Sequence, residues 1–316
     1  MVTRLTYKGI IDTIGNTPLV ELQRMSPKEG VRIFAKLEGQ NPTGSVKDRI
    51  ALKMIEQAER DGEISPNRTI LEPTSGNTGI SLAMIGRMKG YKVAVVMPEN
   101  VSVERVQLLE AYGAEIIPSD GSRGTNGSIE VAQDLVGKHG SDYHMLYQYG
   151  NSGNPNAHYE TTGPEIIETL PDVSMFVAGL GTGGTLMGVA RRLKEHNPET
   201  KIVAVAPEPD DFISGLRSLE EGFIPPILDI QMLDSRILVN SFDAFSTAKR
   251  LLTEEGIFAG VSSGSVVYGA IRQAERMEEG NIVCLLADGG WKYLSTALWT
   301  KDYDQLSKDA KGKIWW

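Results

Sequence analysis

Short apolar, β-branched runs alternate with amphipathic stretches along most of the 316 residues. A run that is apolar at nearly every position is typical of a parallel strand covered on both faces. The alternation of such strands with helices predicts an α/β fold with right-handed crossovers. The runs that we predict as strands are 32–37, 69–71, 92–97, 115–118, 144–147, 175–178, 201–205 and 281–287.

Apolar residues recur at helical spacing between these runs, and they predict helices over 46–59 and 186–196 and a third that stops at Gly113. The densest cluster of turn residues, 150–155, divides the chain near its middle. At about 150 residues per domain, the length predicts two domains. The stretch 207–234 is rich in Pro, Asp, Glu and Gly, and a non-helical stretch of this length is often functional.

Composition excludes several classes of protein. A formal net charge of −9 argues against nucleic-acid binding, and no apolar run reaches the ~18 residues of a membrane span. The single cysteine, Cys284, excludes an intrachain disulfide and lies in an apolar run, where an inert core thiol is expected. The four histidines lack the spacing of a metal site. Because the first residues, MVTRLTYKG, also lack a signal-peptide core, we expect a cytoplasmic protein.

Lys47 lies in the first turn of the helix predicted over 46–59. Ser45 is a good N-cap, and Ser45 and Asp48 have the spacing of a capping box. The positive end of the helix dipole and the neighbouring Arg49 are both expected to lower the pKa of Lys47, as a Schiff-base lysine requires. The alternative is a solvated lysine on a helix face.

A second polar loop, 72–79, joins a predicted strand to a predicted helix. Backbone N–H groups and short hydroxyls at a helix N-terminus form an anion site that suits a carboxylate or a phosphate. The alternative is an ordinary capped turn. The candidate binding residues are Thr74, Ser75, Gly76, Asn77 and Thr78.

The loop 179–185 also follows a strand and opens a helix. It satisfies G-x-G-x-x-G, so a dinucleotide such as NAD is one possible ligand. The hydroxyls of Thr182 and Thr185 suit a single terminal phosphate at least as well. Tight packing of strand against helix is the third interpretation.

Two further candidates are weaker. In the loop 260–265, Ser262 offers a hydroxyl to a heterocycle nitrogen or acts only as an N-cap. Gln148 follows a predicted strand and either contacts a ligand or closes a turn.

Four motifs together, PTGSVKDR, TSGNTG, GTGGT and VSSG, resemble the cysteine synthase family of pyridoxal-phosphate enzymes, and the resemblance runs from 14 to 296. It implies the tryptophan-synthase-β-like fold, also called fold type II: two three-layer α/β domains with mostly parallel sheets and the cofactor in the cleft between them. The implied division is a smaller substrate-binding domain over 40–151 (mobile at about 88–135), a larger cofactor-phosphate domain over 13–37 and 152–300, and a tail over 301–316.

The resemblance also implies a role for each loop. Lys47 is the catalytic lysine that bonds pyridoxal 5′-phosphate, Asn77 binds the 3′ oxygen of the cofactor, and Ser262 binds its pyridine nitrogen. The two remaining sets are the cofactor phosphate site, Gly181, Thr182, Gly183, Gly184 and Thr185, and the substrate carboxylate site, Thr74, Ser75, Gly76, Thr78 and Gln148.

The implied function is cysteine synthesis, in which a sulfur nucleophile replaces the leaving group of O-phosphoserine or O-acetylserine through an aminoacrylate. The neutral Ser262 at the pyridine nitrogen suits β-elimination. A cystathionine β-synthase or a serine/threonine dehydratase is an alternative with the same fold, and an NAD-dependent oxidoreductase is an alternative from another class. A homodimer is expected, and the sulfur donor stays open between sulfide, thiosulfate and a thiocarboxylated small carrier protein.

Two features depart from the commonest pattern of the family. Arg217 lies in the irregular stretch, and Trp291-Lys292 stands where many relatives have Glu-Arg. Both resemble the O-phosphoserine-using sulfhydrylases of the actinobacterial type. Since arginine is a natural clamp for phosphate, we predict that Arg217 binds the phosphate of O-phosphoserine. The alternative is a surface arginine paired to Glu220 or Glu221.

The aromatic residues at the end of the tail form the last candidate. We predict that residues 311–316 fold over the active site and shield the aminoacrylate from water. A contact between subunits is the alternative.

Overall fold

The computed structural model describes residues 6–305, in which ten strands form two sheets. Their bounds are β1 (Leu19–Glu21), β2 (Val31–Leu37), β3 (Thr69–Pro73), β4 (Val93–Pro98), β5 (Glu115–Ser119), β6 (Tyr143–Met145), β7 (Val173–Gly179), β8 (Lys201–Pro207), β9 (Ser235–Val239) and β10 (Gly280–Leu286). The larger sheet has the order β1-β2-β10-β7-β8-β9 and the smaller has the order β5-β4-β3-β6. Within these residues only β1 and β2 pair antiparallel, and the other neighbours pair parallel.

The same part of the chain forms nine α-helices, most of which connect parallel strands. They are α1 (Lys47–Arg60), α2 (Asn77–Lys89), α3 (Val103–Tyr112), α4 (Gly124–His139), α5 (Gly153–Ala157), α6 (Gly163–Thr169), α7 (Gly184–His196), α8 (Ser241–Glu255) and α9 (Val261–Ala274). Gly90 and Gly113 end α2 and α3 in the left-handed conformation, with φ of 83° and 79°, which only glycine adopts without strain. A π-helical turn, His158–Thr162, joins α5 to α6, and a 3₁₀ segment, Gly290–Thr296, follows β10.

Helices cover both faces of each sheet. Since successive strand residues point to opposite sides, neighbouring residues of one strand pack against different helices. In the larger sheet, Ile33 packs in one core with α8 and α9, and the next residue, Phe34, packs in another with α7. In the smaller sheet, Val95 packs with α1 and α2, and Val96 packs with α4. This layering confirms the α/β fold with mostly parallel sheets.

All eight predicted strands are present, whereas β1 and β9 were not predicted because both are short and only one of their residues is buried. The smaller sheet takes its strands from 69–145, and the larger takes them from 19–37 and 173–286. The domain bounds remain a prediction. None of the helices described within residues 6–305 is long and apolar enough to cross a membrane.

The capping box predicted at the start of α1 is wrong. The Asp48 carboxylate accepts hydrogen bonds from the Thr43 N–H (2.8 Å), the Thr43 hydroxyl and the Ser81 hydroxyl (2.6 Å), and does not reach back to Ser45. Ser45 Oγ instead accepts a hydrogen bond from the N–H of Lys47 at 3.3 Å. Because Ser81 lies on α2, Asp48 ties the loop before α1 to that helix.

Candidate active site

A cavity opens at the carboxyl ends of strands from both sheets, where parallel sheets usually place ligands. The N-termini of α1, α2, α7 and α9 all begin at this cavity, so four helix dipoles present their positive ends to it. Twelve of the predicted site residues line it: Lys47, Thr74, Ser75, Asn77, Thr78, Gln148, Gly181, Thr182, Gly183, Thr185, Arg217 and Ser262.

Lys47 is the first residue of α1, and its amine lines the cavity. Within the described residues, no hydrogen bond or ion pair engages its Nζ. Burial lowers the pKa of Lys47, although the charges of Asp288 and Glu38 act in the opposite direction. The predicted direction is therefore confirmed, but burial is the cause.

Arg49, the neighbour expected to lower the pKa of Lys47, is not among the causes of the shift. Its guanidinium pairs with Glu38 at 2.7 Å and with Glu165 at 2.6 Å. Both acids lie outside α1, on the segment after β2 and on α6. The ion pairs therefore connect α1 to the elements around the larger sheet.

The buried side chain of Glu72 supports the loop that carries Gln148. Glu72 accepts hydrogen bonds from the backbone N–H groups of Tyr147 (2.8 Å) and Gln148 (3.0 Å). Tyr147 has a φ of 57°, a conformation that is uncommon for a residue other than glycine. The Gln148 side chain accepts a hydrogen bond from the Thr78 hydroxyl at 2.7 Å. Two of the residues predicted for carboxylate binding thus hold each other at the cavity wall.

The glycine loop before α7 presents unpaired backbone donors. No hydrogen bond between described residues uses the N–H groups of Thr182, Gly183 or Thr185. Gly183 has a φ of 89°, and a Cβ on Gly181 would lie 2.7 Å from the carbonyl oxygen of Gly215. Glycine is therefore required at both positions, and the resulting turn directs its N–H groups to an anion.

Gly76 and Gly184 were predicted as ligand contacts, but neither belongs to the cavity lining. Their lack of a side chain serves packing. A Cβ on Gly76 would lie 2.6 Å from the Arg105 side chain, and a Cβ on Gly184 would lie 1.8 Å from Asn154 Oδ1. Both glycines allow a neighbouring side chain to approach the loops that form the cavity.

Asn77 has two buried partners that the motifs did not indicate. Its Nδ2 donates to Asp288 Oδ2 at 2.8 Å, and its Oδ1 accepts from Lys292 Nζ at 2.8 Å. Tyr293 OH donates to the same oxygen of Asp288 at 2.6 Å. One signal was available for Asp288, because it directly follows an apolar parallel strand at the edge where sites form.

Ser262 lies in the first turn of α9 and is 7% exposed. Its hydroxyl makes no hydrogen bond with another described residue, so a ligand in the cavity can use it. Arg105, on α3, is a second lining residue that the sequence did not indicate. Its Nη2 donates to Ser214 Oγ at 3.0 Å, and its guanidinium lies 5.0 Å from the ring centroid of Tyr293.

Arg217 is 8% exposed and lines the cavity, so it is not a surface arginine. Its Nη1 donates to Asn126 Oδ1 at 2.9 Å, and its guanidinium lies 4.7 Å from the ring centroid of Phe223. Glu220, proposed above as an alternative partner, pairs with Arg236 at 2.6 Å. The predicted closure by residues 311–316 concerns a segment outside the described residues.

The site therefore combines a half-buried lysine, whose amine has no partner among the described residues, with four helix N-termini. The comparisons with known proteins agree with this arrangement. The family model described as "Pyridoxal-phosphate dependent enzyme" matches residues 10–288. The chain belongs to this family. Its cofactor is therefore pyridoxal phosphate.

Individual relatives cover nearly the whole chain. A cysteine synthase of Staphylococcus aureus (strain N315) is 45% identical over 304 residues, which are 93% of this chain and 97% of the relative. Cysteine synthase B of Escherichia coli (strain K12) is 43% identical over 92% of this chain and 96% of its own. The crystal structure of a cysteine synthase from Entamoeba histolytica has a TM-score of 0.89 at 36% identity, over 99% of this chain and 97% of its own.

The donors in the cavity fit pyridoxal phosphate. A phosphate needs several converging N–H groups, which the glycine loop leaves unpaired at the start of α7. An aldehyde carbon needs an uncharged amine, and burial lowers the pKa of Lys47. The free hydroxyl of Ser262 supplies a neutral partner for a ring nitrogen.

Proposed function

We propose that this protein synthesises cysteine by replacing the β-leaving group of an O-substituted serine with a sulfur nucleophile. The half-buried Lys47, whose amine has no partner among the described residues of the cavity, carries the proposal, together with the relatives that are named cysteine synthases. These relatives do not favour a cystathionine β-synthase, a dehydratase or an NAD-dependent oxidoreductase. Small amino-acid substrates are consistent with the family.

The cavity residues divide into cofactor and substrate contacts. Lys47 Nζ would bond the cofactor, Asn77 would donate to its 3′ oxygen, and Ser262 would contact its ring nitrogen. The N–H groups and hydroxyls of the glycine loop, chiefly those of Gly181, Thr182, Gly183 and Thr185, would hold its phosphate.

The loop that begins α2 would bind the substrate carboxylate. Thr74 and Thr78 line the cavity at the helix N-terminus together with the half-buried Ser75. Gln148, held by Glu72 and Thr78, closes the opposite side of this loop. The positive end of the α2 dipole supports a carboxylate here.

When bound, pyridoxal phosphate supplies an electron sink for negative charge at the α-carbon of an amino acid. Lys47 Nζ would remove the α-proton after the substrate amine has displaced it, and would later return a proton to the same carbon. Its lowered pKa keeps a fraction of the amine uncharged and able to accept that proton. Burial of the cavity wall limits the access of water to the reacting carbons.

We infer that O-phosphoserine is the preferred substrate and that Arg217 binds its phosphate. Arg217 lines the cavity, and its guanidinium lies 5.4 Å from the ring centroid of Tyr149 and 4.7 Å from that of Phe223. A guanidinium that is already held by two neighbouring aromatic rings loses little freedom on pairing with a phosphate. Two arginines, Arg105 and Arg217, therefore offer positive charge to an anionic leaving group.

The reaction is tested by measuring L-cysteine formed from O-phosphoserine or O-acetylserine with sulfide. Lys47→Ala is expected to lower the rate by about 10³-fold or more, because it removes the acid–base group. Lys53→Ala on the same helix, where Lys53 pairs with Glu160, is the matched control and should retain activity. Full activity of Lys47→Ala would refute the proposal, and so would cystathionine formation from homocysteine at a higher rate than cysteine formation.

Substrate preference is tested by comparing kcat/KM for the two serine esters. Arg217→Ala is expected to lower kcat/KM for O-phosphoserine by about 100-fold, the effect of losing a charged hydrogen bond, and to change the O-acetylserine value little. Arg236→Ala, which removes an exposed ion pair with Glu220, is the control. An equal loss with both esters would contradict the role of Arg217.

Three finer assignments accompany this function. We propose a homodimer, which light scattering of the purified protein tests. We propose a cytoplasmic location, which the lone buried Cys284 supports. A thiocarboxylated carrier protein is proposed as an alternative sulfur donor to sulfide or thiosulfate, and a comparison of initial rates with the three donors decides between them.

A further inference from the structure

Lys292 has no part in the proposed function, yet it is among the largest fully buried side chains of the described residues, with 1% exposure. It lies in the segment Gly290–Thr296, and its Nζ donates to Asn77 Oδ1 at 2.8 Å. Burial of an ammonium is costly unless its hydrogen bonds and charges are compensated. A buried lysine directed at a residue of the cavity wall therefore requires an explanation.

Asp288 lies on the other side of the same amide and is 2% exposed. Its Oδ2 accepts a hydrogen bond from Asn77 Nδ2 at 2.8 Å and another from Tyr293 OH at 2.6 Å. The Asn77 amide is thus held at its oxygen by Lys292 and at its nitrogen by Asp288.

These two partners define which way the amide points. An ammonium can only donate, and an ionised carboxylate can only accept. A flipped Asn77 would set its N–H groups against the ammonium and its oxygen against the carboxylate. Burial lowers the pKa of Lys292 to about 8, with Asp288 and Asp48 raising it and Arg105 and Lys47 lowering it, so the donor form still predominates at pH 7.

In this orientation one N–H of Asn77 is used by Asp288, and no other described residue accepts from Nδ2. Because Asn77 lines the cavity, its second N–H is available to an acceptor there.

We propose that Lys292 is a positioning residue which, together with Asp288, orients the Asn77 amide so that its free N–H meets the 3′ oxygen of the cofactor. The proposal rests on the contact assigned to Asn77 in the proposed function. A carboxamide cannot keep this orientation by itself, since its two ends have nearly the same shape.

The experiment measures two properties of the holoenzyme: the Kd of pyridoxal phosphate, by equilibrium dialysis, and the wavelength of the bound cofactor's absorbance maximum. Lys292→Met is expected to raise the Kd by about tenfold, the effect of losing the hydrogen bond that the Asn77 amide donates to the cofactor, and to shift the maximum. Lys292→Arg should restore both, because a guanidinium also only donates. Asp288→Asn replaces the obligate acceptor at Asn77 Nδ2 with an amide that can also donate, so it should shift the maximum in the same direction. This variant serves if Lys292→Met does not fold.

A double-mutant cycle separates action through Asn77 from an independent effect. In the Asn77→Ala background, Lys292→Met should add nothing to the Kd. A further tenfold loss in that background would overturn the proposal. If Asn77→Ala alone changes neither the Kd nor the maximum, the contact assigned to Asn77 is wrong and this proposal fails with it, although the proposed reaction stands.

Lys36→Met is the matched control for the loss of a buried lysine. Lys36 is 1% exposed, pairs with Glu165 at 2.6 Å and does not line the cavity. It should lower Tm without shifting the absorbance maximum. If Lys292→Met behaves in the same way, with a lower Tm and an unchanged cofactor, its role is structural and the proposal is overturned.

Discussion

Gly184 shows how the glycine loop depends on a contact that lies outside the loop itself. A Cβ at this position would lie 1.8 Å from Asn154 Oδ1, far inside the 3.4 Å at which ordinary contact begins. Asn154 is 1% exposed, and its Nδ2 donates to the carbonyl oxygen of Gln148 (2.8 Å) and to Thr182 Oγ1 (2.9 Å). Gly184→Ala therefore displaces a side chain that joins the loops proposed for the cofactor phosphate and the substrate carboxylate.

The expected cost follows from three contributions. Loss of the two Asn154 hydrogen bonds costs about 1 kcal/mol each, and overpacking adds about 1–3 kcal/mol. Alanine in place of glycine at the start of α7 recovers at most about 0.5–1 kcal/mol. Gly184→Ala should therefore lower the free energy of unfolding by about 2–4.5 kcal/mol.

Urea unfolding measures this change, with Gly137→Ala as the matched control. Gly137 is an exposed glycine of α4, and a Cβ added there would have no atom within 4 Å. Its replacement should therefore stabilise the protein by about 0.5–1 kcal/mol. In an Asn154→Ala background, the clash is absent and Gly184→Ala should cost little. An undiminished cost in that background would refute the reasoning.

Two further predictions concern buried groups. Burial raises the pKa of Glu72 to about 8, against the opposing hydrogen bonds from Gln148 and Tyr147, so the folded state holds a proton that the unfolded state loses at a lower pH. The free energy of unfolding should accordingly decline from about pH 4.5 to 8, by up to ~1.4 kcal/mol per pH unit. Glu72→Gln should remove this slope in urea titrations at several pH values, and an unchanged slope would contradict the assignment. Burial also raises the pKa of the Cys284 thiol, so a chromogenic disulfide reagent should label it only after unfolding. Stoichiometric labelling of the native protein would contradict this prediction, because it would show that the thiol is accessible.

Local pattern was sufficient for most of the fold. Each continuous apolar run became a strand, since parallel strands covered on both faces have no polar side to alternate with. β9 was missed because its residues are largely exposed and its sequence, SRILV, is short and mixed. The capping box predicted for Ser45 and Asp48 is wrong for a different reason. Thr43 and Ser81 compete for the Asp48 carboxylate, and their donors reach it only in the folded chain.

The sequence by itself determined the order of elements, the four loops that begin helices, and the residue types that suit a phosphate, a carboxylate and an amine. Tertiary structure decided which side chains meet. Asn77 and Lys292 are separated by 215 positions, and their contact depends on how the segment after β10 packs against α2. It also decided the electrostatics of Lys47, because the cost of a charge depends on how much water the fold removes around it, which no local pattern records.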